Sequence, residues 1–360
     1  MYKIENIKQV HLEITEKCQA GCAMCGRTWG AGNVNPRLTM SELSLEDCKT
    51  IFPVEFVKQL HHIFLCGTFG DPAAAKDTLE VFKYFRECNP DLILTMHTNG
   101  GLRNTAWWTE LAQVLSNRGS KVVFSVDGLQ DTNHIYRQNV NWDIVESNMR
   151  TFISAGGNAV WEYLIFQHNQ HQIEEARALS EEIGFKNILF KKSARFSGNL
   201  DSLKSDVTFK TRRGESVILA EPDSPHQNIE KTKQASVLTQ YGTSENYYNT
   251  TPISCKAINE SSIYITAEGL FLPCCWLAGP MYNWSDDNID YKQNDVWKLI
   301  DKVGGKSKLD ARKGLTNVFN SGILEMIEKG WSTDREHGRI FRCAQVCGIG
   351  YSPYSVEITK

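Results

Sequence analysis

The sequence predicts an α/β fold: a parallel sheet with helices packed outside it, followed by a smaller α+β unit. Three observations carry this. Six short apolar runs between residues 8 and 195 alternate with stretches of helical periodicity, the pattern of consecutive βα units. From Ser197 to Thr250 the chain turns polar, with Gly, Ser and Asn, Pro222 and Pro225, and little periodicity. After Cys255 order returns in two short apolar runs and two helical stretches. The predicted division is therefore residues 1–195 as the core domain, 196–250 as a polar linker or substrate-covering insertion, and 251–360 as the small domain.

The elements follow in order. Val10, Leu12 and Ile14 alternate as a first strand. Ser44-Leu45-Glu46-Asp47 opens a helix with a Ser cap and early acids, and a second helical stretch runs to Leu60. His62–Gly67 is the next strand, and the helix carrying Leu79, Phe82 and Phe85 closes before Asn89-Pro90. Leu92–His97 is a third strand, with a helix around Trp107 to Leu115 behind it. Lys121–Gly128 is the fourth, with a helix from Ile144 to Ala155 stopped by Gly156-Gly157. Val160–Phe166 is the fifth, with a helix from Gln172 to Ile183 capped by Gly184, and Asn187–Phe190 is the sixth. Ser262–Thr266 and Leu270–Pro273 flank Ala267-Glu268-Gly269 as a β-hairpin. Helices near Val296–Ile300 and Ile323–Ile327 precede the last cysteines. A barrel and a doubly wound sheet are both compatible with six βα units.

The chain has 360 residues, 41% hydrophobic and 22% charged, with a formal charge of −3. These values suit a globular protein and give no electrostatic footprint for nucleic acid or a membrane. No apolar run reaches membrane-spanning length and the first residues do not read as a secretory signal, so a cytoplasmic location is expected. Lys191-Lys192 and Arg212-Arg213 read as solvated faces. Eleven cysteines, gathered towards the two ends of the chain, fit metal or cluster ligation in a reducing compartment.

Cys18, Cys22 and Cys25 stand at C-x3-C-x2-C spacing on the loop leaving the first strand, with Gly21 and Gly26 letting the backbone curl. A Gly-rich polar loop is a poor place to bury small hydrophobes. Structural zinc takes four ligands, and no fourth follows at finger spacing. Three thiolates can share one iron–sulfur cubane and leave one iron open to a small molecule.

This stretch resembles the signature of the radical S-adenosylmethionine (radical SAM) superfamily, and further motifs extend the resemblance. Gly70-Asp71-Pro72 after the second strand is similar to the family's glycine-rich turn that receives the methionine amine of SAM. Here Asp replaces the commoner Glu and Phe69 departs from the double glycine. Ser125-Val126-Asp127-Gly128 followed by Arg137 resembles the S-x-D-G…R pattern, whose Ser contacts the ribose and whose Arg grips the carboxylate, work suited to a planar fork. Thr98-Asn99-Gly100 also resembles the family and implies that Asn99 lines the SAM pocket. The resemblance favours a partial (βα)6 TIM-like barrel with a [4Fe–4S] cluster on Cys18, Cys22 and Cys25. Cys255, then Gly269 and Cys274, and finally Cys343 and Cys347, resemble a SPASM/twitch auxiliary-cluster domain. That implies a second [4Fe–4S] cluster, with Cys275 as the alternative to Cys274 and a four-thiolate zinc site as the alternative occupant.

The implied activity is reductive cleavage of SAM to a 5′-deoxyadenosyl radical that abstracts a substrate hydrogen, then oxidation, epimerisation or crosslinking. The auxiliary cluster would transfer electrons or bind substrate, and a flavodoxin- or ferredoxin-type donor would supply the electron. Cys66, beside the barrel mouth, is a candidate hydrogen donor. The substrate is a small carbohydrate-like molecule or a peptide. No winged-helix segment precedes the first strand, which leans the expectation to the former or to a separate recognition protein. The reading of another class is a non-catalytic cluster- or zinc-binding protein.

Overall fold

Each predicted apolar run becomes a strand, and each of the first five is followed by helix that crosses back over the sheet to the next. The computed structural model describes residues 3–29, 32–196, 200, 204–282, 294–351, 353–354 and 358–359. Strands β1 (Gln9–Leu12), β2 (His62–Leu65), β3 (Ile93–Thr98), β4 (Lys121–Ser125), β5 (Ala159–Ile165) and β6 (Asn187–Lys192) pair in parallel, each with the next. Helices α1 (Leu45–Ile51), α2 (Val54–Gln59), α3 (Thr78–Cys88), α4 (Thr105–Val114), α5 (Trp142–Ser154) and α6 (Ile173–Ile183) connect them. A doubly wound sheet reverses its strand order at a switch point; this one does not. Right-handed crossovers in unbroken order put every helix on one face, which is the partial-barrel arrangement.

Local chemistry sets the helix ends. Ser44 and Asp47 form a reciprocal capping box at α1. Asn141 accepts from the Ile144 amide at α5, and α6 stops at Gly184 with φ 95°.

Period-two alternation divides the sheet into two faces. Leu12, Leu65, Met96, Val122 and Ala159 lie in register, strand by strand, and are buried beneath the helices. Trp108 of α4 and Phe152 of α5 cap this layer, with ring centroids 5.3 and 6.1 Å from Phe124. The barrel-side face is more polar. His11 stacks on Phe64 at 4.5 Å, and Lys191 pairs with Glu162 at 2.5 Å. Lys191 is thus an inward-facing ion-pair partner rather than part of a solvated face.

The stretch expected as a polar linker or substrate-covering insertion contains regular secondary structure. Strands β7 (Asp206–Lys210) and β8 (Ser216–Ala220) form an antiparallel ribbon, and helices α7 (Glu230–Tyr241) and α8 (Ser244–Thr250) follow. Residues 197–199 and 201–203 lie outside the described residues. The polar turn between the two strands dominates the local composition and hides their short alternations. The ribbon leans over the cysteine loop, where Arg212 Nε donates to the Gly32 carbonyl at 2.7 Å, so Arg212 too is no merely solvated side chain.

The predicted hairpin forms as β9 (Ser262–Ile265) and β10 (Phe271–Leu272), but it does not stand apart. β9 pairs in parallel with β1, Val10 opposite Ile263, so the small domain extends the edge of the main sheet. Helices α9 (Asp295–Lys302), α10 (Ile323–Gly330) and α11 (Phe341–Cys347) complete this part, and β11 (Ile358–Thr359) pairs antiparallel with β6 at the far edge. Among the described residues no helix is long and apolar enough to cross a membrane.

Glu13, one residue beyond β1, ties three segments together. Its side chain is almost fully buried and accepts from the amides of Phe69 (2.6 Å) and Gly70 (3.2 Å) and from the Tyr264 hydroxyl of β9. Burial raises its pKa from 4.5 to about 7, against the pull of these donors. The folded chain therefore holds a proton that the unfolded chain releases. This group's stabilisation is full below pH 4.5 and is lost as pH rises through 7, a change of up to about 3 kcal/mol. Urea midpoints measured from pH 4.5 to 8 are expected to fall more steeply with pH for wild type than for Glu13→Gln, which carries no titrating group there.

Candidate active site at the strand ends

The loops leaving the C-terminal ends of β1 to β4 and β6 converge on one cavity, the usual place for function in such a fold. Cys18, Cys22 and Cys25 line it from the loop after β1; Gly70 and Asp71 from the turn after β2; Asn99 from the end of β3; Arg137 from beyond β4; and Arg195 from beyond β6.

The cysteine loop is held by polar contacts. Arg27 Nε donates to the Glu16 carbonyl at 3.0 Å, the Gly21 amide donates to the Gln138 carbonyl at 2.9 Å, and the buried Glu16 carboxylate accepts from the Ser41 amide and Thr39 hydroxyl, each at 3.0 Å. Gly21 and Gly26 are not among the glycines with positive φ. At Gly26 the missing Cβ instead leaves room for the Phe69 ring, which would lie 3.2 Å from it.

The turn after β2 is a close-approach device. A Cβ on Gly67 would lie 1.8 Å from the Gly70 carbonyl oxygen, and one on Gly70 would lie 1.9 Å from the Thr15 carbonyl oxygen. This presses the turn onto the exit of β1 and delivers Asp71. Both its oxygens are occupied by the protein: Oδ1 accepts from the Ala73 amide (2.9 Å) and Thr98 hydroxyl (2.8 Å), Oδ2 from the Asn99 amide (2.8 Å) and Asn99 Nδ2 (2.6 Å). Burial pushes its pKa up and these donors pull it back. Asp71 therefore organises the cavity wall. Through it Asn99 is aimed at the loop, with Nδ2 3.6 Å from Cys18 Sγ and Oδ1 accepting from Gln19 Nε2 at 2.7 Å.

Asp127 and Arg137 form a buried pair at 2.6 Å through Arg137 Nε, while Asp127 Oδ1 accepts from the Leu164 amide at 2.7 Å. Asp127 thus stands behind Arg137 and does not line the cavity. Ser125 ends β4 and Pro72 opens a short 3-10 helix; neither is among the cavity-lining residues. Of the expected SAM contacts, Gly70, Asp71, Asn99 and Arg137 reach the cavity, and Pro72, Ser125 and Asp127 do not.

Cys255, Cys274, Cys343 and Cys347 line a second cavity, which is otherwise largely apolar. Cys343 and Cys347 lie one turn apart on α11. A bridge between Ile253 and Gly348, with the Ser254 amide donating to the Cys347 carbonyl at 2.9 Å, sets Cys255 against the end of that helix. Cys275 faces away, into a third cavity that it shares with Cys66.

The donor chemistry fits iron–sulfur clusters at both cysteine sets. Burial, with neighbouring charges adding to it, pushes the Cys18 thiol far up and the Cys274 thiol up to about 12; burial pushes Cys22 up to about 11. Such thiols ionise only when a cation compensates them, and cluster iron does so. Among the described residues no three His, Cys, Asp or Glu side chains gather as tightly as a single ion requires. The cysteines of each set line a cavity of their own.

Sequence reasoning missed Glu13, Gln19, Arg195 and Arg342. Glu13 was detectable as the one acid within the alternation Val10, Leu12, Ile14. The two arginines stand in no recognisable motif.

Residues 12–180 match the family model of the Radical SAM superfamily. Over 127 residues the chain is 28% identical to the FeMo cofactor biosynthesis protein NifB of Methanocaldococcus jannaschii; the match covers 34% of this chain and 42% of that protein, about two fifths of its length. Two solved structures share the fold. For anSMEcpe with bound AdoMet the TM-score is 0.52 at 12% identity, covering 98% of this chain and 89% of the other. For Streptococcus suis SuiB bound to the precursor peptide SuiA it is 0.50 at 14%, covering 81% and 64%.

In Asp71→Asn one acceptor oxygen becomes an NH2 group, and in either orientation a buried backbone amide, that of Ala73 or of Asn99, faces a donor. The expected cost is about 2–4 kcal/mol, read as a lower urea midpoint, with less iron retained after reconstitution and desalting.

Proposed function

The chain carries a radical SAM domain over residues 12–180 and is an enzyme of that class, and we propose that it activates a substrate by hydrogen abstraction in the cavity between its two cysteine sites. The observation that carries this is the convergence of Cys18, Cys22, Cys25, Asn99 and Arg137 on one cavity. Cys18, Cys22 and Cys25 would hold a [4Fe–4S] cluster, and the cluster with SAM supplies one-electron cleavage of the S–C5′ bond and a 5′-deoxyadenosyl radical.

The chain's own residues bind and orient. Arg137, its Nε committed to Asp127, presents the rest of its fork to the SAM carboxylate. Asp71 holds Asn99 and, through the packed turn at Gly67 and Gly70, fixes the wall against which the methionine end lies. Phe69 separates this pocket from the larger neighbouring cavity and lines both. Cys255, Cys274, Cys343 and Cys347 would hold a second cluster that exchanges electrons with the substrate radical or binds substrate. Cys66 lines the larger cavity, and burial raises its thiol to about 12, so it is protonated, the state a hydrogen donor needs. A flavodoxin- or ferredoxin-type protein would provide the electron. Two proteins of this fold, SuiB and anSMEcpe, have solved structures with bound peptides, which supports a peptide as the second reading beside a small molecule.

Iron, sulfide and 5′-deoxyadenosine test the assignment together. Wild type, reconstituted anaerobically, is expected to hold about eight irons per chain and to form 5′-deoxyadenosine with dithionite. A triple Ala variant at Cys18, Cys22 and Cys25 should hold about four and form none. A quadruple Ala variant at Cys255, Cys274, Cys343 and Cys347 should also hold about four. Full iron in the quadruple variant would remove the second cluster from those cysteines. An iron-loaded wild type that forms no 5′-deoxyadenosine would remove the radical reading.

A further inference from the structure

Between the two cysteine sites lies the larger cavity, of about 580 Å³. It shares Phe69 and Arg195 with the pocket of Cys18, Cys22 and Cys25, and Trp276 and Arg342 with the pocket of the four later cysteines. Among the described residues that line it there are two guanidinium groups and no carboxylate. Arg195 Nη1 donates to the Met24 carbonyl at 2.8 Å, and its guanidinium lies 5.5 Å from the Tyr136 ring centroid. Arg342 Nη1 donates to Gln345 Oε1 at 2.6 Å, while its Nε is buried without an acceptor. His11, the third basic side chain there, donates Nε2 to the Cys66 carbonyl at 2.6 Å; burial lowers its pKa to about 4, so it adds no charge.

Two guanidinium groups on one cavity, with no carboxylate among its described lining residues, favour an anionic occupant. Guanidinium forks are matched best by planar or tetrahedral oxyanions. Trp29, Trp276 and Tyr282 supply apolar walls around the same space. We propose that this cavity takes a substrate bearing a carboxylate or phosphate group, which Arg195 and Arg342 clamp while its apolar portion lies against Trp29, Trp276 and Tyr282. This rests on the reading of the flanking sites as the radical machinery. A neutral sugar or a cationic peptide segment would bring no anion to either guanidinium, so the cavity would select against them.

The test uses the full chain, reconstituted anaerobically and saturated with SAM so that the Arg137 site is filled. Inorganic phosphate, citrate and uncharged glycerol are titrated calorimetrically into wild type, Arg195→Gln, Arg342→Gln and Arg342→Lys. Wild type is expected to bind phosphate or citrate and not glycerol. Each Gln variant should weaken that binding at least tenfold at unchanged iron content, and Arg342→Lys should recover part of it. Preference for citrate assigns a carboxylate and preference for phosphate a phosphate; either supports the proposal. Absence of anion binding in wild type, or equal binding in wild type and the Gln variants, overturns it. The same preparations are assayed for 5′-deoxyadenosine. Formation without anion binding overturns the assignment of this cavity alone, and absence of formation overturns the radical reading with it.

Discussion

The carboxylate of Asp71 is the constraint on which the candidate site depends. It is buried, both oxygens are taken by protein donors, and those donors come from its own turn and from the end of β3. Such a group is costly to bury and still more costly to leave half-satisfied, so the four contacts form together or the local structure fails. Their geometry fixes Asn99, and Asn99 fixes Gln19 and faces Cys18. Two strand ends are thereby registered to the cysteine loop without any bound group.

The same economy appears at Glu13. One carboxylate joins the exit of β1, the turn after β2 and the β9 strand of the small domain. Acids are thus used as structural hubs at the mouth, while the space they surround is lined by cysteine and arginine. Both carboxyl groups are met by backbone and side-chain donors, while the guanidinium groups of Arg137, Arg195 and Arg342 line the cavities, although the whole chain carries a charge of −3.

Much of this was legible in the sequence, and the exceptions have physical causes. Strands and helices of the core announce themselves because period two and period 3.6 are imposed by burial on one face, as at Leu12, Leu65 and Met96. C-x3-C-x2-C and the pair on α11 were legible because ligand spacing is a local property. The ribbon β7–β8 was not, since its strands are half-exposed and their polar turn outweighs them. A motif says which residues travel together and not which of them faces the cavity, and Ser125, Pro72 and Asp127 are not among the residues that line it. Asp127 belongs to the Ser-x-Asp-Gly run, yet its side chain turns to Arg137 and the Leu164 amide. Arg195 and Arg342 lie far apart in sequence and only tertiary structure brings them to one wall.

That wall bears on how the two parts of the chain work together. The predicted boundary near residue 250 treats the later cysteines as a separate module, but β9 pairs with β1 over four residues, and the cysteine loop leaves that same β1. Cys274 follows the partner strand of β9 closely, so the separation of the two cysteine sets is set by strand register, the least adjustable dimension of a sheet. A flexible tether would let the auxiliary site sample many distances; a shared sheet holds one. The cavity between them keeps a constant span, with one guanidinium at each end and both cysteine pockets opening onto its rim. Under the proposed reading, substrate selection and electron exchange would be coupled through geometry: a molecule anchored at both ends would lie where both pockets reach it, and one that could not reach both arginines would not be held there.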